Sequence, residues 1–217
     1  MKLLYFLTMM LVFCGTVCYA KPLTGNIEGH DYVDLGLPSG LKWATCNVGA
    51  DYPGECGDSF AWGEVKARKD FPKDSSFTVF KSEGRLQKSG VIDSFGALTA
   101  KYDAATQNWG DKWRMPTKEE FDELIVYCDW TWTEWEQGCG YLIESKKEGN
   151  DGWIFLPASY VFKEFSQDDF KPTVGEYWSS TVFDDEWLSY RLIFHSQNSC
   201  NANKLRYFGA NVRPVLK

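Results

Sequence analysis

The side chains that could do chemistry in this chain are thiols, carboxylates and aromatic rings; imidazoles are scarce. Only two histidines occur, His30 and His195, far apart in the sequence. His30 stands at a polar strand entrance and His195 on the more polar side of a later strand, so each reads as a surface or hydrogen-bonded residue. A zinc site or a histidine-based triad would need partners that the spacing does not supply. Carboxylates are densest at Asp168-Asp169 and Asp184-Asp185-Glu186. Such runs could offer hard oxygen ligands to calcium, although solvated loop charge is their ordinary origin. A glycosidase pair needs two carboxylates about 5–10 Å apart across a cleft, a distance that linear spacing does not define. No phosphate-binding loop, dinucleotide fingerprint, Gly-x-Ser-x-Gly elbow or His-Glu-x-x-His helix is present in the sequence, and these are the signatures through which the common chemistries declare themselves. The expectation is a protein that is not an enzyme and needs no cofactor, with calcium the one ion to consider.

Five cysteines follow the first twenty residues: Cys46, Cys56, Cys128, Cys139 and Cys200. In an exported chain they could pair as disulfides, and the connectivity stays open. Otherwise they act as small buried apolar residues. No Cys-x-x-Cys occurs, which argues against a zinc ribbon or a thioredoxin-like site. The ten tryptophans are the compositional outlier. Each needs a large pocket or a partner. Trp130 and Trp132 have strand spacing, with Trp135 close behind; core or edge packing is their default role, and a stacking platform for sugar faces is the alternative. A polar and aromatic segment between Trp178 and Gly209 has the composition of a presented binding loop.

The elements that must position these groups follow a short leader. Residues 1–20 read as a signal peptide: Lys2, a mostly apolar run from Leu3 to Val17, then Cys18-Tyr19-Ala20. The run is too short for a confident membrane span. The expected localisation is secreted, in periplasm, on the cell surface or outside the cell. Residues 21–217 suit one domain. The formal net charge of −7 excludes a nucleic-acid partner, whose phosphates demand a basic face.

Along that domain, residues 31–37 and 41–45 read as a hairpin around Pro38-Ser39-Gly40, with a third short strand at 59–63. Residues 65–90 lose all periodicity and are locally basic, which predicts a surface insertion. Leu98 to Trp109 predicts one helix. Thr117-Lys118-Glu119-Glu120 is a capping box opening a second, with Phe121, Leu124, Ile125 and Cys128 on one face. Strands follow at 141–143, 153–156, 187–196 and 205–215, the fourth closing the chain. Strands, two helices, then strands argue an α+β domain.

Several stretches together resemble a known family. They are residues 32–50 (Tyr-Val-Asp-Leu-Gly-Leu-Pro-Ser-Gly-Leu-Lys-Trp-Ala-Thr-Cys-Asn-Val-Gly-Ala), Ala61-Trp62-Gly63-Glu64, Trp113-Arg114-Met115-Pro116-Thr117, Phe155-Leu156-Pro157-Ala158, Tyr177-Trp178-Ser179-Ser180 and Val212-Arg213-Pro214-Val215. In that order they resemble the Fibrobacter succinogenes major paralogous domain, which is abundant in exported proteins of Bacteroidetes. The resemblance implies a C-type-lectin-like fold, with two helices packed on small antiparallel sheets and long loops forming the recognition face. It implies a more distant similarity to formylglycine-generating, sulfatase-modifying enzymes. Their late cysteine pair is not matched, since only Cys200 lies near the C-terminus, so a thiol pair such as Cys139 with Cys200 would be required for that chemistry. The calcium motifs of sugar-binding animal lectins are absent too. Similar bacterial proteins vary the loop before the final strand. Carried over, that places ligand contacts at Trp178, Trp187, Tyr190, Arg191, His195, Asn198, Asn201, Asn203, Arg206 and Tyr207. The family pattern also suggests a bridge between Cys46 and Cys128. The function implied is a secreted or cell-envelope binding module for a glycan or a surface protein; a structural or fimbrial envelope component and a sulfatase-modifying-type enzyme are the alternatives.

Overall fold

A computed structural model describes residues 24–72, 76–135, 138–159 and 173–216. The predicted signal peptide and the Asp168-Asp169 pair lie outside the described residues. The architecture mixes helix and sheet, with sheet dominant, as the α+β expectation required in outline. The described residues hold three α-helices and eleven strands in three antiparallel sheets.

The first sheet gathers the earliest and the latest of the described residues. Strands β1 (Gly25–Ile27), β2 (His30–Asp34) and β3 (Lys42–Ala44) are followed in space by β11 (Val215–Leu216) and then β4 (Trp113–Arg114). The β2–β3 hairpin turns where expected: the Gly40 amide donates to the Leu37 carbonyl at 2.9 Å. Gly40 has a φ of +72°, a conformation glycine adopts without steric cost. The strand expected at 59–63 is only a single bridge, Phe60 to Ala210. The closing strand expected over 205–215 is likewise cut to two residues. Pro214 cannot donate to a ladder, and Arg206 and Arg213 turn inward with both side chains fully buried. Side-chain hydrogen bonds replace the ladder there.

The helical middle is also shorter than its pattern suggested. A 3₁₀ turn at Ala100–Tyr102 precedes α2 (Ala104–Trp109). Asp103 interrupts them because its carboxylate caps α2, accepting from the Thr106 amide at 2.9 Å and the Met115 amide at 2.8 Å. The other helix, α3 (Lys118–Tyr127), carries the capping box read from sequence, with Thr117 and Glu120 reciprocally bonded. Phe121 and Leu124 are fully buried on its inner face. Replacing Thr117 with alanine should destabilise the protein by about 1 kcal/mol, seen as a lowered midpoint in chemical denaturation, whereas Thr117→Ser should be near neutral.

From α3 the chain enters β5 (Cys128–Trp135), β6 (Gly138–Ser145) and β7 (Trp153–Pro157), a meander in that order. Trp130 and Trp132 pack edge-on to Tyr141, each at 5.3 Å; Trp130 also donates to the Leu124 carbonyl at 3.1 Å. They are packing residues rather than a stacking platform. The Trp135 side chain is outside the described set. The third sheet is β10-β9-β8, from β8 (Val174–Val182), β9 (Leu188–His195) and β10 (Asn198–Leu205).

Two buried clusters fill the interior. One joins β2, α3 and the inner faces of the second and third sheets around Phe121, Tyr177 and Phe194. The other centres on Trp62, Trp109, Trp113 and Trp178. The expected Cys46–Cys128 bridge is not present: both stand as thiols, Cys128 within the first cluster and Cys46 against the second. Burial pushes the Cys128 thiol up to about 12. His30, at the start of β2, stacks face to face on Trp109 with ring centroids 3.7 Å apart. Desolvation lowers its pKa, against the opposing charge of Glu28. A lowered folded-state pKa means stability is fully present above about pH 6.5 and is lost as pH falls through the folded value. Thermal melts between pH 7.5 and 5 should therefore lose Tm, and His30→Phe, which keeps the stack, should flatten that loss.

Candidate recognition face

The predicted contact segment divides into interior, frame and surface. The Tyr-Trp-Ser-Ser stretch is interior. Trp178 has no exposed surface and its indole donates to the Phe60 carbonyl at 2.8 Å. The Trp62 indole returns the favour to the Ser179 carbonyl at 3.0 Å. The Ser179 hydroxyl donates to the Tyr190 carbonyl at 3.0 Å, beside an irregularity in β8 between Trp178 and Val182. These residues knit the scaffold, so Trp178 is corrected from ligand contact to core. Tyr207, at 9% exposure, packs on Phe208 at 4.5 Å and is corrected likewise.

The segment expected to be a loop is β10, paired along its length with β9. Its asparagines are distributed by strand geometry. Asn201 donates to the Lys118 carbonyl at 3.0 Å and to Asp122 Oδ1 at 2.6 Å, tying β10 to α3. Asn203 is exposed, and so are Asn198 and His195 at the hairpin tip. The tip lies eight residues from Trp187, roughly 25 Å along a strand, too far for one small patch. On the sheet surface, Glu176 forms ion pairs with both Arg191 and Lys204. Burial, then the charge of Arg191, pushes the Lys204 amine down to about 7, while direct contact with Glu176 works in the opposite direction. Arg191 is thus part of a half-buried charge cluster.

Arg206 is the organiser. Its guanidinium is wholly buried and has no carboxylate in hydrogen-bond contact among the described residues; it donates to carbonyls. The partners include Leu188 at 2.8 Å, Thr78 at 3.0 Å, Lys81 at 2.8 Å and Asp185 at 2.6 Å. Burial pushes its pKa down to about 10, against the charges of Asp185 and Glu186. It also lies over the Trp62 ring at 5.2 Å. One cation therefore fixes two loops, 78–81 and 183–188. Asp184-Asp185-Glu186 turns its backbone to this arginine, and no group of three or more metal-ligating side chains converges among the described residues.

Those loops carry the exposed rings. Phe80 is 51% exposed and sits at φ +61°, a left-handed conformation that bulky residues rarely adopt. It meets Trp187 edge-on at 3.9 Å. Phe183 packs on Tyr190 at 5.0 Å and Phe77 on Tyr102 at 5.4 Å. Lys81 lies over Phe77, Lys101 over Tyr102 and Lys118 over Tyr190, at 5.3, 5.2 and 5.6 Å. The adjoining loop, 93–97, is joined to β8 by the Val182 amide, which donates to the Gly96 carbonyl at 2.8 Å. It projects Phe95, 89% exposed. Beneath Phe95 opens a cleft of about 300 Å³ lined by Asp93, Leu98, Arg114, Met115 and Ser180 among others. The Arg114 guanidinium there is held by Glu120 through two bonds of 2.6 and 2.5 Å.

Of the ten predicted contacts, the structure brings Trp187 and Tyr190 to this face and makes Arg206 its support. Phe77, Phe80 and Phe95 were missed. The available signal was aromatic residues without core periodicity, interleaved with lysines. The 65–90 stretch is also more than solvated loop: among its described residues it forms α1 (Glu83–Lys88) and buries Thr78, Val79 and Leu86. Cys139 and Cys200, the pair a thiol enzyme would need, lie in different sheets, on β6 and on β10. Among the described residues no helix is long and apolar enough to cross a membrane. No family model, curated protein or solved structure matches the chain.

Proposed function

We propose that the protein is an exported, non-enzymatic binding module with a C-type-lectin-like fold, akin to the major paralogous domains it resembles. Its ligand is a glycan or a surface protein taken on the aromatic loop face. The observation that carries this reading is Phe80: a half-exposed ring in a costly backbone conformation, set against Trp187, on loops pinned by a buried cation. Strain of that kind persists only where surrounding structure over-determines it, and it concentrates at functional sites. Flat rings beside cations and a small, mostly apolar cleft can exclude water with a sugar face or a partner's side chain. The same face would serve a structural envelope component through contacts between subunits. The second exposed apolar pair, Val126 and Tyr127 at the far end of α3, favours keeping that reading.

Glycan and protein arrays, with and without a chelator, test the proposal. Phe80→Ala and Trp187→Ala should each weaken binding about tenfold. A panel on which no ligand binds, or on which both variants bind like the wild type, would sink it. Concentration-dependent sedimentation abolished by Phe80→Ala would favour the subunit role instead.

A further inference from the structure

We propose that Cys56 and Cys139 form a disulfide, a covalent bond between the loop after β3 and the start of β6. The two cysteines meet at one residue, Ala158. Cys56 Sγ points at the Ala158 carbonyl, 3.4 Å away. The Ala158 amide in turn donates to the Cys139 carbonyl at 2.8 Å, so Cys139 stands one strand spacing further on, about 4.8 Å. Neither backbone is loose. The Cys56 carbonyl accepts from the side-chain amides of Asn47 at 2.9 Å and Asn211 at 2.7 Å. Pro157, beside Ala158, is held by the Tyr177 hydroxyl at 2.7 Å. Cys139 lies within a ladder bonded on both sides, to β5 and to β7.

The electrostatics point to the same neighbour. Burial pushes the Cys56 thiol up, and the charge of Cys139 is the next cause in the same direction. No other cysteine contributes to that shift. Cys128 pairs with Ser145 at the opposite end of the β5–β6 ladder from Cys139, which pairs with Glu134; Cys46 packs against the other cluster, and Cys200 is exposed on β10.

The reaction is thiol–disulfide exchange with a small-molecule disulfide. Cys56, the more accessible thiol, loses its proton and attacks one sulfur of the reagent, releasing the other half as a thiolate. Cys139 then loses its proton and displaces the second half, leaving the Cys56–Cys139 bond. One S–S bond is broken and one formed. The protein loses two electrons and two protons, and the reagent is reduced to two thiols. Because Cys56 is held protonated, the first step should quicken as pH rises above neutrality.

The test is to incubate the folded full chain with oxidised glutathione at pH 8.5, block remaining thiols with N-ethylmaleimide, and map peptides without reduction. The expected product joins the Cys56 peptide to the Cys139 peptide, and is absent in Cys56→Ser and Cys139→Ser. Closing roughly 80 residues restrains the unfolded chain, so the oxidised protein should melt on the order of 10 °C above the reduced one. Both thiols recovered fully alkylated, or either joined preferentially to Cys46, Cys128 or Cys200, would overturn the proposal. So would a bond that forms but lowers the Tm, since the native geometry would not accommodate it. The outcome is independent of whether the aromatic face binds a ligand.

Discussion

Replacing Arg213 with alanine is expected to cost about 4 kcal/mol, enough to bring an ordinary domain close to its folding limit. Arg213 is fully buried, and burial holds its pKa below the usual value. Its guanidinium donates to Asn47 Oδ1 at 2.8 Å, to the Ala44 and Thr45 carbonyls at 3.0 and 2.9 Å, and to the Phe155 carbonyl at 2.9 Å. These acceptors come from the end of β3 and the chain just after it, and from β7, so one side chain ties two sheets together. Removing it strands buried acceptors at about 1–3 kcal/mol each and leaves a cavity. Relief of the buried charge offsets part of that. Arg213→Met separates the effects, because it fills the volume and leaves the acceptors unpaired. It should still lose about 2 kcal/mol in urea denaturation. An Arg213→Met protein as stable as the wild type would show that the hydrogen bonds contribute nothing net.

Arg206→Ala is the second large effect, and it should be regional. The carbonyls of Thr78, Lys81, Asp185 and Leu188 lose their common donor, and the loops bearing Phe80 and Trp187 lose their common anchor. A global cost of about 3 kcal/mol follows from the same reasoning on unpaired buried acceptors. The added expectation is a local one: limited proteolysis should cut within 77–88 long before the rest of the chain. Lysine is a poor substitute, since one ammonium cannot span acceptors on separate loops. Arg206→Lys should therefore lose the proposed ligand binding nearly as fully as alanine while regaining part of the stability. Equal protease resistance in Arg206→Ala and wild type would refute the anchoring role.

The parts of the fold legible in the sequence are those set by neighbouring residues. Thr117 and Glu120 cap α3 within one turn of chain, and the Pro38-Ser39-Gly40 turn sets the β2–β3 hairpin. Leu188, Leu192 and Phe194 alternate as β9 requires. β10 was not legible, because Asn198, Asn201 and Asn203 have little intrinsic strand preference; pairing to β9 and the Asn201 bonds to α3 override it. The break at Asp103 had a local signal in its cap on the Thr106 amide three residues on, while its second bond, to the Met115 amide twelve residues away, leaves none. The aromatic loop face was only half legible. Trp187 and Tyr190 stood out in a polar segment, but Phe80 and Phe95 reach the same end of the molecule through Arg206 and through the Gly96–Val182 bond. Neither connection leaves a local trace. Arg206 itself looked like a surface charge, and only its carbonyl partners reveal it as interior.

The position of β11 has a consequence for how the protein comes into being. This two-residue strand is threaded between β3 and β4, and Arg213 lies just ahead of it. Neither the first sheet nor the arginine that ties it to β7 can be completed until residues 213–216 have left the ribosome. Vectorial synthesis would deliver the α3–β5–β6–β7 unit early, but the nascent chain would wait for Val215 and Leu216 before the first sheet could close. Until then β3 and β4 lack their shared neighbour, and the carbonyls that Arg213 will engage stay open to water.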